Sequence, residues 1–152
     1  MQIIKLKTNK NNLLNDVSLI IPEVFSDNRG FFYESWNSDI FNANFSSINF
    51  FQDNHSRSLR GVLRGIHYQI NPFPQGKLVR CTRGVIYDIA VDLRKNSDTY
   101  KEWVGIQLTE KNRHLLWIPE GFGHGFLTLS EIADVQYKVT NRWSKESEKT
   151  IL

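Results

Sequence analysis

The sequence is poor in cysteine and has no long apolar run. Its single cysteine, Cys81, excludes a disulfide bond within one chain and favours a reducing compartment. No apolar stretch approaches the roughly 20 residues that a membrane-spanning helix needs. Near the N-terminus, Lys5, Lys7 and Lys10 interrupt the apolar residues, so this segment lacks the core of a signal peptide. These absences predict a cytoplasmic protein with no membrane partner.

The sequence also lacks a run of basic residues. The 19 lysines and arginines only slightly exceed the 16 acidic residues, which gives a net charge of +3. This mild excess suits a small anionic ligand and predicts no nucleic-acid binding. Internal repeats and low-complexity tracts are absent too, and a length of 152 residues predicts one domain that buries its own core.

Aromatic residues, by contrast, are plentiful, and short apolar segments alternate with turn signals. Their spacing of roughly 8–12 residues is typical of an all-β sandwich or barrel. Residues 55–58 are predicted to link two strands, and residues 144–152 to form a charged tail without a closing element. The best helix candidate is residues 38–45, with Ser38 as its N-cap. The main predicted strands are residues 31–36, 48–54, 62–70, 78–81, 85–93, 103–108, 114–118, 125–129 and 135–140.

The stretch 61–69, Gly-Val-Leu-Arg-Gly-Ile-His-Tyr-Gln, concentrates the reactive side chains. Arg64, His67 and Lys77 lie within 14 positions, and the prolines and glycine between them predict a turn that brings Lys77 back beside the strand. Such a hairpin would direct a base and two cations into one cavity, which suits an anionic substrate. Strand alternation places Arg64 and His67 on opposite faces unless Gly65 forms a β-bulge. A strand histidine is also common in cores and on surfaces, so that alternative stays open.

Other polar residues have both a functional and a structural interpretation. Gln52 and Asn54 share one face of a predicted strand, where they either contact a ligand or lie at a sheet edge. Asp88 lies in the most hydrophobic segment, so it either pairs with a histidine or an arginine or faces solvent. Tyr137 shares a face with apolar neighbours, which by pattern alone favours a core tyrosine.

The motifs together resemble one known family. They are DNRGFFYE at 27–34, QDNHSRS at 52–58, GVLRGIHYQ at 61–69, QGKLVR at 75–80, IYDIAVDLR at 86–94, LWIPEGFGHGF at 116–126 and YKVT at 137–140. In this order they are similar to the nucleotide-sugar 3,5-epimerases of rhamnose synthesis. The resemblance implies a cupin-type jelly roll, a homodimer, and no metal or organic cofactor. The implied substrate is a dTDP-linked 4-keto-6-deoxy sugar, dTDP-4-dehydro-6-deoxy-D-glucose, and the implied product is dTDP-4-dehydro-L-rhamnose.

The resemblance also implies a role for each matching position. His67 matches the base, Tyr137 the acid, and Lys77 the residue beside the C4 oxygen of the substrate. Trp143 stands where a tyrosine usually stacks on thymine. Asp88 is expected to support the site for a different reason, since a buried carboxylate needs a partner. Further expected substrate contacts are Gln52, Asn54, Arg64, His124 and Glu148. Expected contacts near the nucleotide, commonly lent across the dimer interface, are Arg29 and Glu34.

His124, flanked by Gly123 and Gly125, is a candidate metal ligand. A cupin metal site would carry a His-x-His pair followed by an acid, but here Gln69 takes the place of the second histidine. Two histidines from separate strands and a lysine make a poor site for zinc or iron. We therefore predict that the protein binds no metal.

The resemblance further implies a C-terminal segment with an Asp that pairs with the base and an Arg that helps to bind substrate. The sequence to Leu152 contains neither, so we expect a single domain of residues 1–152 with weakened activity. Two other functions stay open. One is a mono-epimerase or ketoisomerase acting on a related dTDP sugar, and the other is an inactive cupin that binds a nucleotide sugar.

Overall fold

A computed structural model describes residues 1–151 of the chain, and most of them lie in β-strands. The all-β prediction is confirmed. Within that range no helix is long and apolar enough to cross a membrane. The described elements are, in chain order, β1 (Gln2–Lys7), β2 (Leu13–Ile21), β3 (Phe25–Asp27), β4 (Gly30–Phe32), α1 (Ser38–Phe45), β5 (Gln52–Leu59), β6 (Leu63–Gln69), β7 (Lys77–Arg83), β8 (Val85–Asp92), β9 (Trp103–Thr109), β10 (Leu115–Ile118), β11 (Phe122–Thr128), β12 (Ile132–Val139) and β13 (Glu148–Thr150).

Two antiparallel sheets pack against each other and enclose the core. The larger sheet has the strand order β1-β2-β10-β7-β12-β5, the smaller has β13-β6-β11-β8-β9, and β3 and β4 form a separate hairpin. Val79 and Val135 of the larger sheet share one buried cluster with Ile86, Ala90 and Phe126 of the smaller sheet. Burial of apolar surface contributes about 25 cal/mol per Å², so this cluster holds the two sheets together.

The helix α1 packs on the outer face of the larger sheet. Phe41 is buried against Trp117 of β10, with the ring centroids 5.2 Å apart. The helix bounds agree with the prediction, but the N-cap is Asn37 and not Ser38. The Asn37 side-chain oxygen accepts hydrogen bonds from two backbone N–H groups of the first turn, at 3.0 and 3.2 Å, which is how an N-cap stabilises a helix start.

Strand β5 runs through the segment that we predicted to be a link. It pairs with β12 along its whole length, from Gln52 opposite Val139 to Leu59 opposite Ile132. The predicted link 55–58 is therefore strand, and the residues just before Gln52 lie outside any strand. The prediction was wrong because β5 lies at the edge of its sheet and consists almost entirely of polar residues. Such a strand shows no apolar periodicity and resembles a loop in sequence.

The connection between β6 and β7 crosses from the smaller sheet to the larger one. His67 of β6 is opposite His124 in the smaller sheet, whereas Lys77 of β7 is opposite Ile118 and Val139 in the larger sheet. The predicted β6–β7 hairpin is therefore wrong. Residues 70–76 form a connection longer than a tight hairpin turn, and they bring Lys77 to the cavity from the side facing His67.

Strand β13 closes the smaller sheet beside β6. Glu148 lies opposite Gln69, and Thr150 lies opposite His67. We predicted no closing element here, because a three-residue strand of polar residues has no apolar periodicity to mark it. Since alternate strand residues point to the same face, Glu148 and Thr150 share one face of the smaller sheet.

Candidate active site

A cavity of about 560 Å³ lies between the two sheets, a size within the range of small-ligand sites. The larger sheet contributes Lys77 and Tyr137, and the smaller sheet contributes His67. A ligand in the cavity would therefore contact both sheets. The predicted site residues that line it are Gln52, Asn54, Arg64, His67, Lys77, His124, Tyr137, Trp143 and Glu148.

A β-bulge at Gly65 brings Arg64 and His67 to the same cavity. Three steps along β6, from His67 to Arg64, lie opposite two steps along β11, from His124 to Phe126. The extra residue in β6 reverses the alternation of side chains between the two faces of the strand. Arg64 and His67 therefore point to the same face, as we expected if Gly65 formed a bulge. Gly65 has a φ of +126°, and a Cβ there would lie 2.6 Å from the Cα of Gly125 in β11. Only glycine fits this position without strain.

His67 is half-buried, and its Nδ1 hydrogen-bonds with Thr150 Oγ1 at 3.1 Å. Burial lowers the pKa of His67 below its usual value, the Glu148 carboxylate opposes that shift, and the charges of Lys77 and His124 add to it. The imidazole is therefore neutral at neutral pH. A neutral imidazole has an unprotonated ring nitrogen, which is the form that acts as a base.

Lys77 is a buried cation on the wall that faces His67. Burial lowers its pKa to about 8, while the carboxylates of Asp88 and Glu148 oppose the shift. The ammonium group is therefore mostly protonated at neutral pH. It places a positive charge at a buried position, where electrostatic interactions are stronger than in water.

His124 is held by Asp88. Its Nε2 lies 2.7 Å from Asp88 Oδ1, and both side chains are buried. The expectation that Asp88 holds a histidine agrees with this geometry, and the alternative that it faces solvent is wrong. Asp88 therefore fixes His124 and does not orient His67. Among residues 1–151, no three His, Cys, Asp or Glu side chains are arranged to hold a metal ion.

Tyr137 belongs both to the core and to the cavity. It packs against the buried cluster between the sheets, yet its side chain also lines the cavity, with its ring centroid 6.5 Å from that of His124. Burial raises the pKa of Tyr137 above its usual value, and Arg64 opposes the shift. The phenol therefore keeps its proton at neutral pH and can donate it into the cavity.

Two amides and an indole extend the cavity beyond the titratable groups. Gln52 Nε2 donates to Asn54 Oδ1 at 2.6 Å, so the predicted shared face of these residues agrees with the structure. Trp143 lines the cavity with 54% of its surface exposed. An indole with a free face can stack on a planar ring.

The structure does not bring Arg29 and Glu34 into this cavity. Arg29 lies on the β3–β4 hairpin, 85% exposed, and pairs with Asp27 at 2.6 Å. Glu34 accepts hydrogen bonds from the Asn37 amide and lines a separate groove. A contact with a nucleotide bound to a second subunit therefore stays a prediction for both residues.

Sequence reasoning missed Ser56 and Thr150. Ser56 lines the cavity, and its hydroxyl is buried without a hydrogen-bond partner in residues 1–151. It continues the alternation of Gln52 and Asn54, so extending β5 through residue 56 would have identified it. Thr150 lies on the unpredicted strand β13, and nothing in its local sequence marks it.

The chain is similar to known proteins over most of its length. Residues 11–152 match the family model described as dTDP-4-dehydrorhamnose 3,5-epimerase. The dTDP-4-dehydrorhamnose 3,5-epimerase of Shigella flexneri is 53% identical over 138 residues, which are 90% of this chain and 76% of that protein.

Two solved structures are also similar. The dTDP-6-deoxy-D-glucose-3,5-epimerase of Legionella pneumophila Philadelphia 1, in complex with dTDP-4-keto-L-rhamnose, has a TM-score of 0.90 and 42% identity, covering 99% of this chain and 78% of that one. The dTDP-4-dehydrorhamnose 3,5-epimerase of Bacillus anthracis strain Ames, with TDP and PPi bound, has a TM-score of 0.90 and 40% identity, covering 99% and 85%.

Facing antiparallel sheets around an inner cavity define a jelly-roll protein of the cupin class, which confirms the predicted fold. The matches extend over nearly all of the chain and agree with one another. The chain belongs to the dTDP-4-dehydrorhamnose 3,5-epimerase family.

The close approach at Gly65 yields a stability prediction. Gly65→Ala should lower the free energy of unfolding by about 3 kcal/mol or more, because it adds a backbone clash to an unfavourable φ. Gly61→Ala is the matched control, since Gly61 also has a positive φ, of +80°, but open space around its Cα. It should cost about 1 kcal/mol. Urea unfolding measures both, and equal losses would contradict the packing argument.

Proposed function

We propose that this chain catalyses the 3,5-epimerisation of dTDP-4-dehydro-6-deoxy-D-glucose to dTDP-4-dehydro-L-rhamnose. The observation that carries the proposal is the arrangement of His67 on one wall of the cavity with Lys77 and Tyr137 on the facing wall. Inversion of a carbon centre requires proton removal on one face of the sugar and return on the other. The two-walled cavity supports that requirement.

His67 is the proposed base. The protons at C3 and C5 are acidic because both carbons neighbour the C4 ketone, so removal of either proton gives an enolate. The neutral state of His67 supports this role. A histidine alone is too weak for a carbon acid, since each unit of pKa mismatch costs about 1.4 kcal/mol. A further group must stabilise the enolate.

Lys77 is the proposed stabiliser of that enolate. The negative charge develops on the C4 oxygen, and a preorganised cation beside it lowers the barrier. The burial of Lys77 supports this role, because water screens its charge only weakly. The reaction moves only protons, so we propose that it needs no metal or organic cofactor.

Tyr137 is the proposed acid on the opposite face. Its raised pKa supports a phenol that stays protonated until the carbanion accepts the proton. Return of a proton from the side facing His67 inverts the carbon centre. The same pair then acts at the second carbon after the proton carriers have exchanged with solvent.

The remaining cavity residues are proposed to bind the substrate. Arg64 is proposed to bind the diphosphate, because a guanidinium group matches the geometry of phosphate oxygens. Trp143 is proposed to stack on thymine. The side chains of Gln52, Asn54, His124 and Glu148 offer polar contacts to the sugar and ribose.

We propose a homodimer in which Arg29 and Glu34 contact the nucleotide of the second subunit. The exposed hairpin that carries Arg29 supports such a reach. The single Cys81 fits a reducing cytoplasm.

Solvent deuterium tests the proposed function. In deuterated water the wild type should incorporate label at both C3 and C5, measured by NMR of the sugar. Label at one carbon, or migration of the ketone, would indicate a mono-epimerase or a ketoisomerase, and no label would indicate a binding protein.

His67→Ala should abolish label at both carbons while dTDP binding stays within a few-fold. Retained exchange in this variant would refute the role of His67.

Tyr137→Phe should separate proton removal from inversion. Removal by His67 does not need the phenol, whereas protonation of the far face does. The variant should therefore exchange deuterium while forming little inverted product, as judged by NMR of the quenched reaction. Inversion at the wild-type rate would mean that Tyr137 serves only the core.

The pH dependence should follow the two titrating groups. The base must be neutral, so kcat/KM should fall below the lowered pKa of His67. The stabiliser must be protonated, so kcat/KM should also fall above the Lys77 pKa of about 8. Lys77→Arg should retain residual activity without the alkaline limb, because a guanidinium stays charged. An unchanged alkaline limb in that variant would assign it to another group.

A further inference from the structure

Gln69 is a buried residue of β6 whose side-chain amide bonds to three backbone groups. Its Nε2 donates to Phe73 C=O at 2.6 Å and to Arg142 C=O at 3.1 Å, and its Oε1 accepts from Ser144 N–H at 2.9 Å. The residue is 5% exposed. These partners also fix the orientation of the amide, because two carbonyls need its NH₂ group and an N–H group needs its oxygen. Gln69 therefore ties β6 to two other segments of the chain.

Two of the three backbone groups flank Trp143. The Arg142 carbonyl belongs to the peptide unit before Trp143, and the Ser144 N–H belongs to the unit after it. Peptide units are planar, so fixing both planes fixes the φ and ψ of the residue between them. Trp143 is 54% exposed, so packing gives its indole little support. Gln69 therefore sets the direction in which the indole leaves the backbone.

A second pair of amides ties the same segment to the connection 70–76. Gln75 Nε2 donates to Asn141 C=O at 2.8 Å, and Asn141 Nδ2 donates to Pro74 C=O at 3.1 Å. We call Gln69, Gln75 and Asn141 the amide clasp. The amide clasp joins β6 and the connection after it to the segment that follows β12.

We propose that Gln69 is a positioning residue for nucleotide binding: through the amide clasp it holds the indole of Trp143 at the cavity wall, where it stacks on thymine. This inference rests on the proposed function, which assigns the stacking to Trp143. Because the indole is held in place before the nucleotide arrives, binding avoids the entropy cost of ordering it. Gln69 also lies two residues beyond His67 on β6, so one strand sets the positions of the catalytic base and the stacking surface.

Gln69→Met tests the proposal, because methionine keeps the unbranched shape of the side chain and removes its hydrogen bonds. The variant should weaken dTDP binding about tenfold, measured by calorimetry. KM for the sugar nucleotide should rise by a similar factor with little change in kcat. Gln136→Met is the matched control, since Gln136 also accepts a hydrogen bond, from Arg80 at 2.8 Å, but lines a different groove. It should leave dTDP affinity unchanged.

A double-mutant cycle distinguishes positioning from a general loss of structure. Trp143→Ala removes the stacking surface and should itself weaken dTDP binding about tenfold or more. In that background Gln69→Met should cost almost no further affinity, because the indole that it positions is gone. Asn141→Ala loosens the amide clasp at a half-buried position. It should weaken binding about threefold, and this loss should also vanish in the Trp143→Ala background. Should Gln69→Met not fold, the Asn141→Ala cycle decides.

The indole itself gives a readout that needs no nucleotide. In protein labelled with fluorotryptophan at its four tryptophans, the ¹⁹F NMR signal of Trp143 is assigned by its loss in Trp143→Phe. In Gln69→Met and in Asn141→Ala this signal should narrow and shift towards that of the free amino acid. Gln136→Met should leave it unchanged. Trp103, in β9 at the other edge of the smaller sheet, is the internal reference and should keep its signal in every variant.

Additive losses of affinity in the cycle, or an unchanged Trp143 signal in the clasp variants, would overturn the proposal. A loss confined to kcat in Gln69→Met, or an equal loss of affinity in Gln136→Met, would overturn it too. If Trp143→Ala bound dTDP as tightly as the wild type, both the stacking and its positioning would be refuted. Absence of solvent exchange in a wild type that binds dTDP would refute the proposed epimerisation instead, and the role of Gln69 in nucleotide binding would stand.

Discussion

The close contact between the backbones of β6 and β11 is the constraint on which the site depends. Gly65 and Gly125 meet there, and a Cβ on Gly125 would lie 2.9 Å from the carbonyl oxygen of Arg64. The β-bulge of β6 lies at this contact, and its extra residue turns Arg64 to the face that carries His67. Without the bulge, alternation would point one of these side chains away from the cavity.

Burial and the charges in the cavity together determine the protonation states of His67 and Lys77. Burial lowers the pKa values of both His67 and Lys77. The carboxylate of Glu148 opposes both shifts from its place on β13. The result is a neutral imidazole facing a protonated amine, which is the pair of protonation states that carbanion chemistry requires at neutral pH.

The sequence predicted which side chains line one cavity better than it predicted the path of the chain. Apolar periodicity marks the central strands, and the alternation of Gln52 and Asn54 correctly places both amides on one face. The pattern failed at the sheet edges, because the residues 55–58 and β13 are polar and resemble loops. It also failed at residues 70–76, since turn residues show where a chain bends but not which sheet the next strand joins.

The crossing at residues 70–76 has a consequence for how the site is held open. Because His67 and Lys77 belong to opposite sheets, no local turn sets their separation; the spacing of the sheets, roughly 10 Å in packed sandwiches, sets it. That spacing is maintained by buried side chains such as Val79 and Ala90. The hydrophobic core therefore acts as the spacer between the proposed base and the buried cation, and a substitution that changes the core volume would change the separation of the two cavity walls.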